Sequence, residues 1–588
     1  MNKTGIAFGD YIHTENIKKR NWDYDSKEKN PRNFFLVVLF LCLFFILFAR
    51  LVFVQVISGY YYRYLSDSNR IKTVVVHAPR GIIFDRNGIP LTFNMPGFRE
   101  NVNGKTVLLT KDEALGIIAN GNKNLDVDSL REYPYKDAFA HVLGYTAQIS
   151  ENELKQPQLA GYRPGDLVGK EGLEQSYEDL LKGVDGRQLY EVDAMGKLVR
   201  KLGADDPVSG QNLATTLDKG LQLAVFDALK DVKKGAVVVS TPKGEVLALV
   251  SKPTFDPNLF TLGTEYKASS SSYQTLEDLL SDSENQPFLN RTISGAYPPG
   301  STFKLVVAAA GLTNRIIDGT WQIEDTGILR VGDFSFSNWY YTGYGGKDGV
   351  VNVVKGIKRS NDIFFYKLAE KVGVDKVSQT SIKFGLDRKL GIDLQGEITG
   401  TVPTREWKLK EIGEQWYLGD TYHYGIGQGF LLTTPLQVNG WTQAIANEGT
   451  LYKPHLLKKL GTQVLSSNLL DEKSTQLIRE GMIESCSPGG VAWPFYDFKV
   501  KNPKLKIDGK NIIEAASSSA DMRHIVVACK TGTAEVGTAT TLPHAWITLF
   551  APAYNPQIIV TVLVENSGEG SNIAAPIAKK ILEEWFGR

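Results

Sequence analysis

Polar and apolar positions alternate in short runs along most of this chain, with one exception near its start. Phe34 to Ala49 carries no polar residue, Arg50 interrupts, and Leu51 to Ile57 continues with only Gln55 polar. As one helix, residues 34–57 span about 36 Å, more than the hydrocarbon core of about 30 Å in a bilayer. Arg50 lies near the far end, where its long side chain can reach the interface. Lys27, Lys29 and Arg32 precede the run. The positive-inside rule therefore expects residues 1–33 to be a cytoplasmic tail, and everything after residue 57 to lie outside. A cleaved signal peptide needs a shorter core and small residues at its cleavage site, which Val54-Gln-Val-Ile-Ser58 lacks.

Residues 58–215 are polar and mixed, and read as a first outer region. His77 to Gly88 reads as a strand between turns, with Asn87-Gly88 as a hairpin signal. Within residues 169–186, Leu173, Tyr177 and Leu180 recur at helical spacing and Gly183 ends the helix. From residue 216 the texture changes. Asp218–Val232 reads as a helix. Gly235–Ser240 and Glu245–Ser251 read as apolar strands joined by a Pro-Lys-Gly turn. The Ser-rich stretch 262–286 reads as a surface loop. Ala545–Ala551 and Gln557–Glu565 read as strands, and Ile573–Phe586 as a closing amphipathic helix. Strands at both ends, with helices between, predict one α+β domain over residues 216–588 whose sheet is completed by the C-terminus.

Length and composition narrow the class. The 588 residues suggest about three or four domains. Hydrophobic residues make up 42% and charged residues 22%, which excludes a disordered chain. A formal net charge of +1 gives no basic excess, so no nucleic-acid partner is expected. Cys42, Cys486 and Cys529 form no Cys-x-x-Cys pair and are too few for a disulfide framework. The seven histidines show no metal-ligand spacing.

The candidate chemistry begins at Pro298-Pro-Gly-Ser301-Thr-Phe-Lys304, where a loop enters a helix. Ser301 and Lys304 stand at i and i+3 and share a face. A serine hydroxyl is a weak nucleophile without an adjacent base, and a lysine held neutral by burial or a second cation can supply one. The helix start also offers N–H groups to a developing oxyanion. Ser-x-x-Lys alone is common on surface helices. Two further motifs follow: Arg359-Ser360-Asn361-Asp362 before a helical run, and Lys530-Thr531-Gly532-Thr533 at the end of an apolar strand. Taken singly, the first would merely cap a helix and the second would merely be a turn. In this order, about 55 and then about 170 residues apart, they resemble the trio that penicillin-binding proteins and class A β-lactamases carry.

Beyond the trio, the sequence resembles a class B penicillin-binding protein of the elongation-type penicillin-binding protein 2 branch. Arg80-Gly-x-Ile-x-Asp-Arg-Asn-Gly88, Gly172-Leu-Glu174, Asp185-Gly186, Thr215-Thr-Leu-Asp218, Asn290-Arg291 and Gly425-Ile-Gly-Gln-Gly429 with Thr434-Pro-Leu-Gln437 carry the resemblance. Ser-x-Asp, Trp407-Lys408, Gly419-Asp-Thr421, His544-Ala-Trp546 and Ala574-Ala-Pro576 point to the elongation branch. The resemblance implies a transmembrane helix (34–57), a pedestal of the dimerisation-domain type (58–215) and a transpeptidase domain (216–588) with a central antiparallel sheet flanked by helices.

The implied activity is that of a serine D,D-transpeptidase, cross-linking peptidoglycan stem peptides through an acyl-enzyme and inhibited covalently by β-lactams. Ser301 would be the nucleophile and Lys304 its base. Ser360 would relay a proton to the leaving amine, with Asp362 and Lys530 completing the catalytic set. Lys530, Thr531, Gly532 and Thr533 would hold the substrate's terminal carboxylate, and the Ser301 and Thr533 N–H groups would form the oxyanion hole. Asp362 is expected to pair mainly with Lys530 or hydroxyls while positioning Lys304. Metal-binding relatives carry Cys between the Ser and Asp and an upstream His. Here those places hold Asn361 and the His-free Gly345-Gly-Lys-Asp-Gly349, so neither zinc nor any other cofactor is expected. Cys529 is expected to be buried and inert, and His544 to pack or hydrogen-bond rather than act as a base. A SEDS-type glycan polymerase is the implied partner, met through anchor and pedestal. A β-lactamase would share the trio but needs a Glu-x-x-Leu-Asn segment, absent after Ser301. An inactive scaffold could have lost trio residues, yet all are present.

Overall fold

The computed structural model describes residues 31–588 apart from 103–104, 120–124, 194, 196, 264, 502–511, 514–521, 539 and 588. The expected tail up to residue 30 lies outside the described residues. The chain divides into two compact units, Met1–Val74 with Gln188–Ala204, and Val75–Arg187 with Asp205–Arg588.

The first unit holds the apolar run. Pro31–Val52 is helical and continues through a wider turn, Phe53–Ile57, into a second helix, Gly59–Arg70. Phe34–Ile57, 24 residues, is the one span among the described residues long and apolar enough to cross a membrane. Its side chains pack against no core of their own, as lipid-facing residues do. Glu191 of this unit accepts from Arg70 and, at 2.6 Å, from Arg200.

In the second unit, the stretch before residue 215 is tied by buried charge. Arg80 Nη2 reaches Glu174 Oε2 and Glu178 Oε2, both at 2.7 Å, and Arg131 Nε reaches Glu174 Oε1 at 2.7 Å. This is why Arg80 and the Gly-Leu-Glu174 stretch, far apart in sequence, belong to one motif. The expected strand before Gly88 is only Ile83–Phe84, and it pairs in parallel with Leu213–Ala214. The turn itself is present: Asp85 accepts from the N–H groups of Asn87 and Ile89, both at 2.8 Å. The helix expected within 169–186 is two short pieces, Gly172–Ser176 and Glu178–Leu181.

The rest forms one sheet between helical layers. Asp218 caps α1 (Lys219–Ala228), which ends before the expected Val232. β1 (Gly235–Ser240) and β2 (Val246–Lys252) make the expected hairpin. The helices α2 (Lys304–Thr313), α3 (Asp362–Val372), α4 (Pro435–Ala446) and α5 (Glu472–Ser485) follow. Then come β3 (Ala528–Ala534), β4 (His544–Ala551), β5 (Ile558–Val564) and α6 (Ala574–Gly587). The sheet order is β2-β1-β5-β4-β3, antiparallel throughout, so the C-terminal strands complete it and β3 is an edge.

The sheet is apolar on both faces, which is why β1 reads as an unbroken apolar run. Ala236 and Val238 face the core that includes α2 and α4, and Val237 and Val239 face the one that includes α1 and α6. Burying each such valine contributes about 1.5–3 kcal/mol relative to exposure. Thr434, Pro435 and Gln437 start α4 with a capping box, the local reason for the Thr-Pro-Leu-Gln stretch. The 262–286 stretch corrects expectation. It contains a capped helix, Leu276–Ser281, and buries Ala268, Tyr273 and Leu279 against Phe255.

Candidate active site

Ser301 sits in a tight turn, Gly300–Phe303, that leads into α2, rather than on the helix proper. Gly300 adopts φ +54°, and a Cβ there would stand 2.8 Å from the Thr533 carbonyl oxygen. Only glycine allows this approach, which sets the Ser301 turn against the Lys-Thr-Gly strand. Gly427, from the Gly-Gln-Gly segment, closes the other side: its carbonyl accepts from Gly300 N at 2.9 Å, and a Cβ on it would stand 2.1 Å from the Gly300 oxygen. Trp546 Nε1 donates to the Pro298 carbonyl at 3.1 Å and anchors the loop from beneath.

Behind Ser301 the structure gathers Lys304, Ser360, Asp362 and Lys530, all buried. Lys304 Nζ donates to Asp362 Oδ1 at 2.6 Å, to the Ser360 carbonyl at 2.7 Å and to Ser360 Oγ at 3.3 Å. Lys530 Nζ donates to Ser360 Oγ at 2.9 Å and to the Thr531 carbonyl at 2.8 Å. The Ser360 hydroxyl thus lies between the two amines. Thr531, Gly532 and Thr533 run along edge strand β3 beside them.

Two lysines and one carboxylate share this desolvated space. Burial pushes the Lys530 amine well below the usual lysine range, and the Lys304 charge pushes it further, while Asp362 opposes. Burial also lowers Lys304, against the charge and hydrogen bond of Asp362. One carboxylate offsets one ammonium. That carboxylate is bonded to Lys304, so Lys530 is the amine without a bonded counter-charge and the more readily neutral of the two.

Two expectations are corrected, the partner of Asp362 and the state of Cys529. Asp362 pairs with Lys304, not Lys530; its second oxygen accepts from Trp339 N at 2.9 Å. The helix cap is Asn361, whose side chain accepts from Phe364 N at 2.8 Å. Cys529 is buried but not a free thiol: it forms a disulfide with Cys486, Cα atoms 5.9 Å apart, joining the end of α5 to the strand residue before Lys530. Cys42 lies inside the apolar run, so the two remaining cysteines are an even count outside it, the one sequence signal of that bridge. His544 Nδ1 accepts from Asn566 N at 3.0 Å, and burial lowers its pKa.

Residues 235–583 match the penicillin-binding protein transpeptidase domain, and residues 121–215 match the penicillin-binding protein dimerisation domain. The chain belongs to the penicillin-binding protein transpeptidase family. Among relatives of this penicillin-binding protein is the peptidoglycan D,D-transpeptidase MrdA of Acinetobacter baumannii, 33% identical over 94% of this chain and 87% of its own length. Two solved structures share its fold. A penicillin-binding protein 2 from Helicobacter pylori, in complex with MreC, aligns at TM-score 0.71 and 27% identity over 87% of this chain and 98% of its own. A chain from a structure described as the structural coordination of polymerization and crosslinking by a peptidoglycan synthase complex aligns at TM-score 0.70 and 27% identity, over 94% and 98%.

Two residues of this penicillin-binding protein, Asp325 and Asn338, belong to no motif and still serve the site. Both are buried, and both bond into the Ser360–Asp362 loop. No spacing marks them, because their contacts are made between separate elements. Lys408 and Asp420, which in the sequence only mark the elongation branch, bond to each other at 2.7 Å and brace the helix that precedes the Gly-Gln-Gly segment.

Proposed function

We propose that this protein is a membrane-anchored peptidoglycan D,D-transpeptidase of the elongation type. The observation that carries the reading is the buried cluster in which Ser360 Oγ lies 3.3 Å from Lys304 Nζ and 2.9 Å from Lys530 Nζ, with Lys304 following immediately on the Ser301 turn. In this reading Ser301 Oγ attacks the penultimate D-Ala carbonyl of a stem peptide, and Lys304 takes its proton. Ser360 passes that proton to the departing D-Ala amine. The backbone N–H groups of Ser301 and Thr533 hold the oxyanion. A second strand's amine then resolves the acyl-enzyme.

Lys304 is charged while it serves Asp362, so it must lose a proton before it can act. The terminal carboxylate of the substrate, held by Lys530, Thr531 and Thr533, favours the charged form of Lys530. Substrate therefore draws the shared proton from Lys304 through Ser360 to Lys530 and frees the base. The stem peptide docks along the open edge of β3 as an added strand.

Fluorescent penicillin tests the reading. The label is expected to remain on the protein for many minutes, because the sequence after Ser301 carries no Glu-x-x-Leu-Asn segment to activate water. Label released within seconds would make the protein a β-lactamase instead.

Lys27, Lys29 and Arg32 support an inside N-terminus, which leaves the site outside the membrane. Protease added to intact spheroplasts is expected to digest the large domain and spare the tail; a protected large domain would reverse the orientation. A relative bound to MreC and another within a peptidoglycan synthase complex support assembly with other wall proteins. We assign a SEDS-type glycan polymerase to the anchor and pedestal on the family resemblance.

A further inference from the structure

We propose that Asp325 and Asn338 are positioning residues for acylation: they fix the Ser360–Asn361–Asp362 loop so that Ser360 faces both lysines and Asp362 faces Lys304. This inference rests on the reading of Ser301, Lys304, Ser360 and Asp362 as the acylation machinery.

Ser360 adopts φ 53°, a left-handed conformation that a serine does not hold unaided. Something must over-determine it, and the neighbours show what. Asn361 is clamped from both ends of its side chain. Its Oδ1 caps α3 by accepting from Phe364 N, and its Nδ2 donates to Asp325 Oδ2 at 2.7 Å and Asp348 Oδ2 at 3.0 Å. Asp348 is itself held by Arg359 Nε at 2.9 Å.

Asp325 is the hub. It ends the strand Gln322–Asp325, which pairs with Gly349–Asn352, so its backbone is fixed by a ladder rather than a free loop. Its carboxylate is 1% exposed. Oδ2 also accepts from Asn338 Nδ2 at 2.8 Å and from Asp348 N at 3.1 Å, and Oδ1 accepts from Gly327 N at 2.7 Å. Asn338 relays the fix: its Oδ1 accepts from Asp362 N at 3.2 Å, and the next residue, Trp339, donates its N–H to Asp362 Oδ2. Asp325 thus reaches Ser360 through Asn361 and reaches Asp362 through Asn338. It touches none of the reacting atoms itself.

The chemistry requires a carboxylate here. Donors converge on both oxygens of Asp325, three on Oδ2 and Gly327 N on Oδ1, so an amide in its place turns an N–H₂ toward a donor whichever way it faces. The desolvated donors left behind have no water to turn to. The loop would then relax from its left-handed conformation, and Asp362 would move off Lys304.

Asp325→Asn tests this, with Asn338→Ser measured in parallel as the milder change. Acylation by fluorescent penicillin is followed per titrated active site over a range of pH. The charged and titratable groups facing this cluster are Lys304 from α2, Lys530 from β3, Asp362 and Tyr366 from α3, and Asp348 and Arg359 flanking Asn361. A misplacement of about 1 Å costs about 10²-fold, and a fall of that order is expected for Asp325→Asn. Because Asp362 no longer supports the Lys304 charge, the acid limb of the remaining rate is expected at lower pH. Less folded protein with a wild-type rate per site and a wild-type pH profile would make Asp325 merely structural and overturn the proposal. A profile moved to higher pH would overturn it as well. If Asp325→Asn does not fold, Asn338→Ser decides by the same two readouts. Failure of the underlying reading is separate: wild-type protein would then form no adduct at Ser301.

Discussion

Ser301→Ala is expected to abolish covalent labelling by penicillin and leave the melting temperature unchanged. The first half follows from the site. Acylation needs a hydroxyl beside a lysine that can be neutral, beside donors for an oxyanion, and within reach of a carboxylate anchor. The turn Gly300–Phe303, which leads straight into Lys304 and lies against the Lys-Thr-Gly strand, offers that combination to Ser301. Ser360 also lies near Lys304, but it is buried and its hydroxyl is already bonded by both amines. Loss of a catalytic serine in another serine enzyme costs about 10⁶-fold, beyond what a labelling gel detects. The second half follows from the turn. A capping serine would cost about 1 kcal/mol when replaced. Ser301, however, is not the cap: that position is Pro299, with no side-chain bond. Undiminished labelling of the folded variant would sink the assignment of the nucleophile.

Asp362→Asn is expected to keep acylation but move its pH profile to lower pH. The rate rises as Lys304 loses its proton, so its acid limb follows the Lys304 pKa. The Asp362 carboxylate, 2.6 Å from Nζ, raises that pKa against the lowering effect of burial. Asparagine keeps the shape and an acceptor oxygen but removes the charge, so Lys304 deprotonates at lower pH. Lys530 moves the same way, since Asp362 also supports its charge. A profile identical to wild type would mean that Asp362 only helps to start α3. A profile moved to higher pH would show the charge argument to be wrong in sign.

Much of the fold and of the site is legible in the amino-acid sequence alone, for physical reasons that differ by element. The strands β1 and β5 are legible because both faces of the sheet are buried, so each strand is apolar without a break. The Ser301 turn is legible because proline and glycine are demanded there by backbone geometry. What the sequence hides depends on contacts between distant elements. Residues 262–286 look like solvent-facing loop because polar side chains outnumber the few that matter, Ala268, Tyr273 and Leu279. The Cys486–Cys529 bridge follows from α5 lying against β3, which no spacing of 43 residues encodes. The need to keep Lys304 neutral points from the sequence to Lys530 as the partner of Asp362. The structure instead gives the carboxylate to Lys304 itself, so only burial and the second amine oppose the Lys304 charge. Asp325 is hidden for a related reason: a buried carboxylate at a strand end has no motif, only donors converging on it.

Mass spectrometry of the trapped intermediate asks whether Ser301 carries the stem peptide as an acyl-enzyme. The full-length protein is incubated with a stem pentapeptide ending in D-Ala-D-Ala, quenched in acid and digested. An adduct is expected on the peptide containing Ser301, with the mass of the donor less its terminal D-Ala, and none on Ser301→Ala. Release of D-Ala with the adduct on any other residue would contradict it.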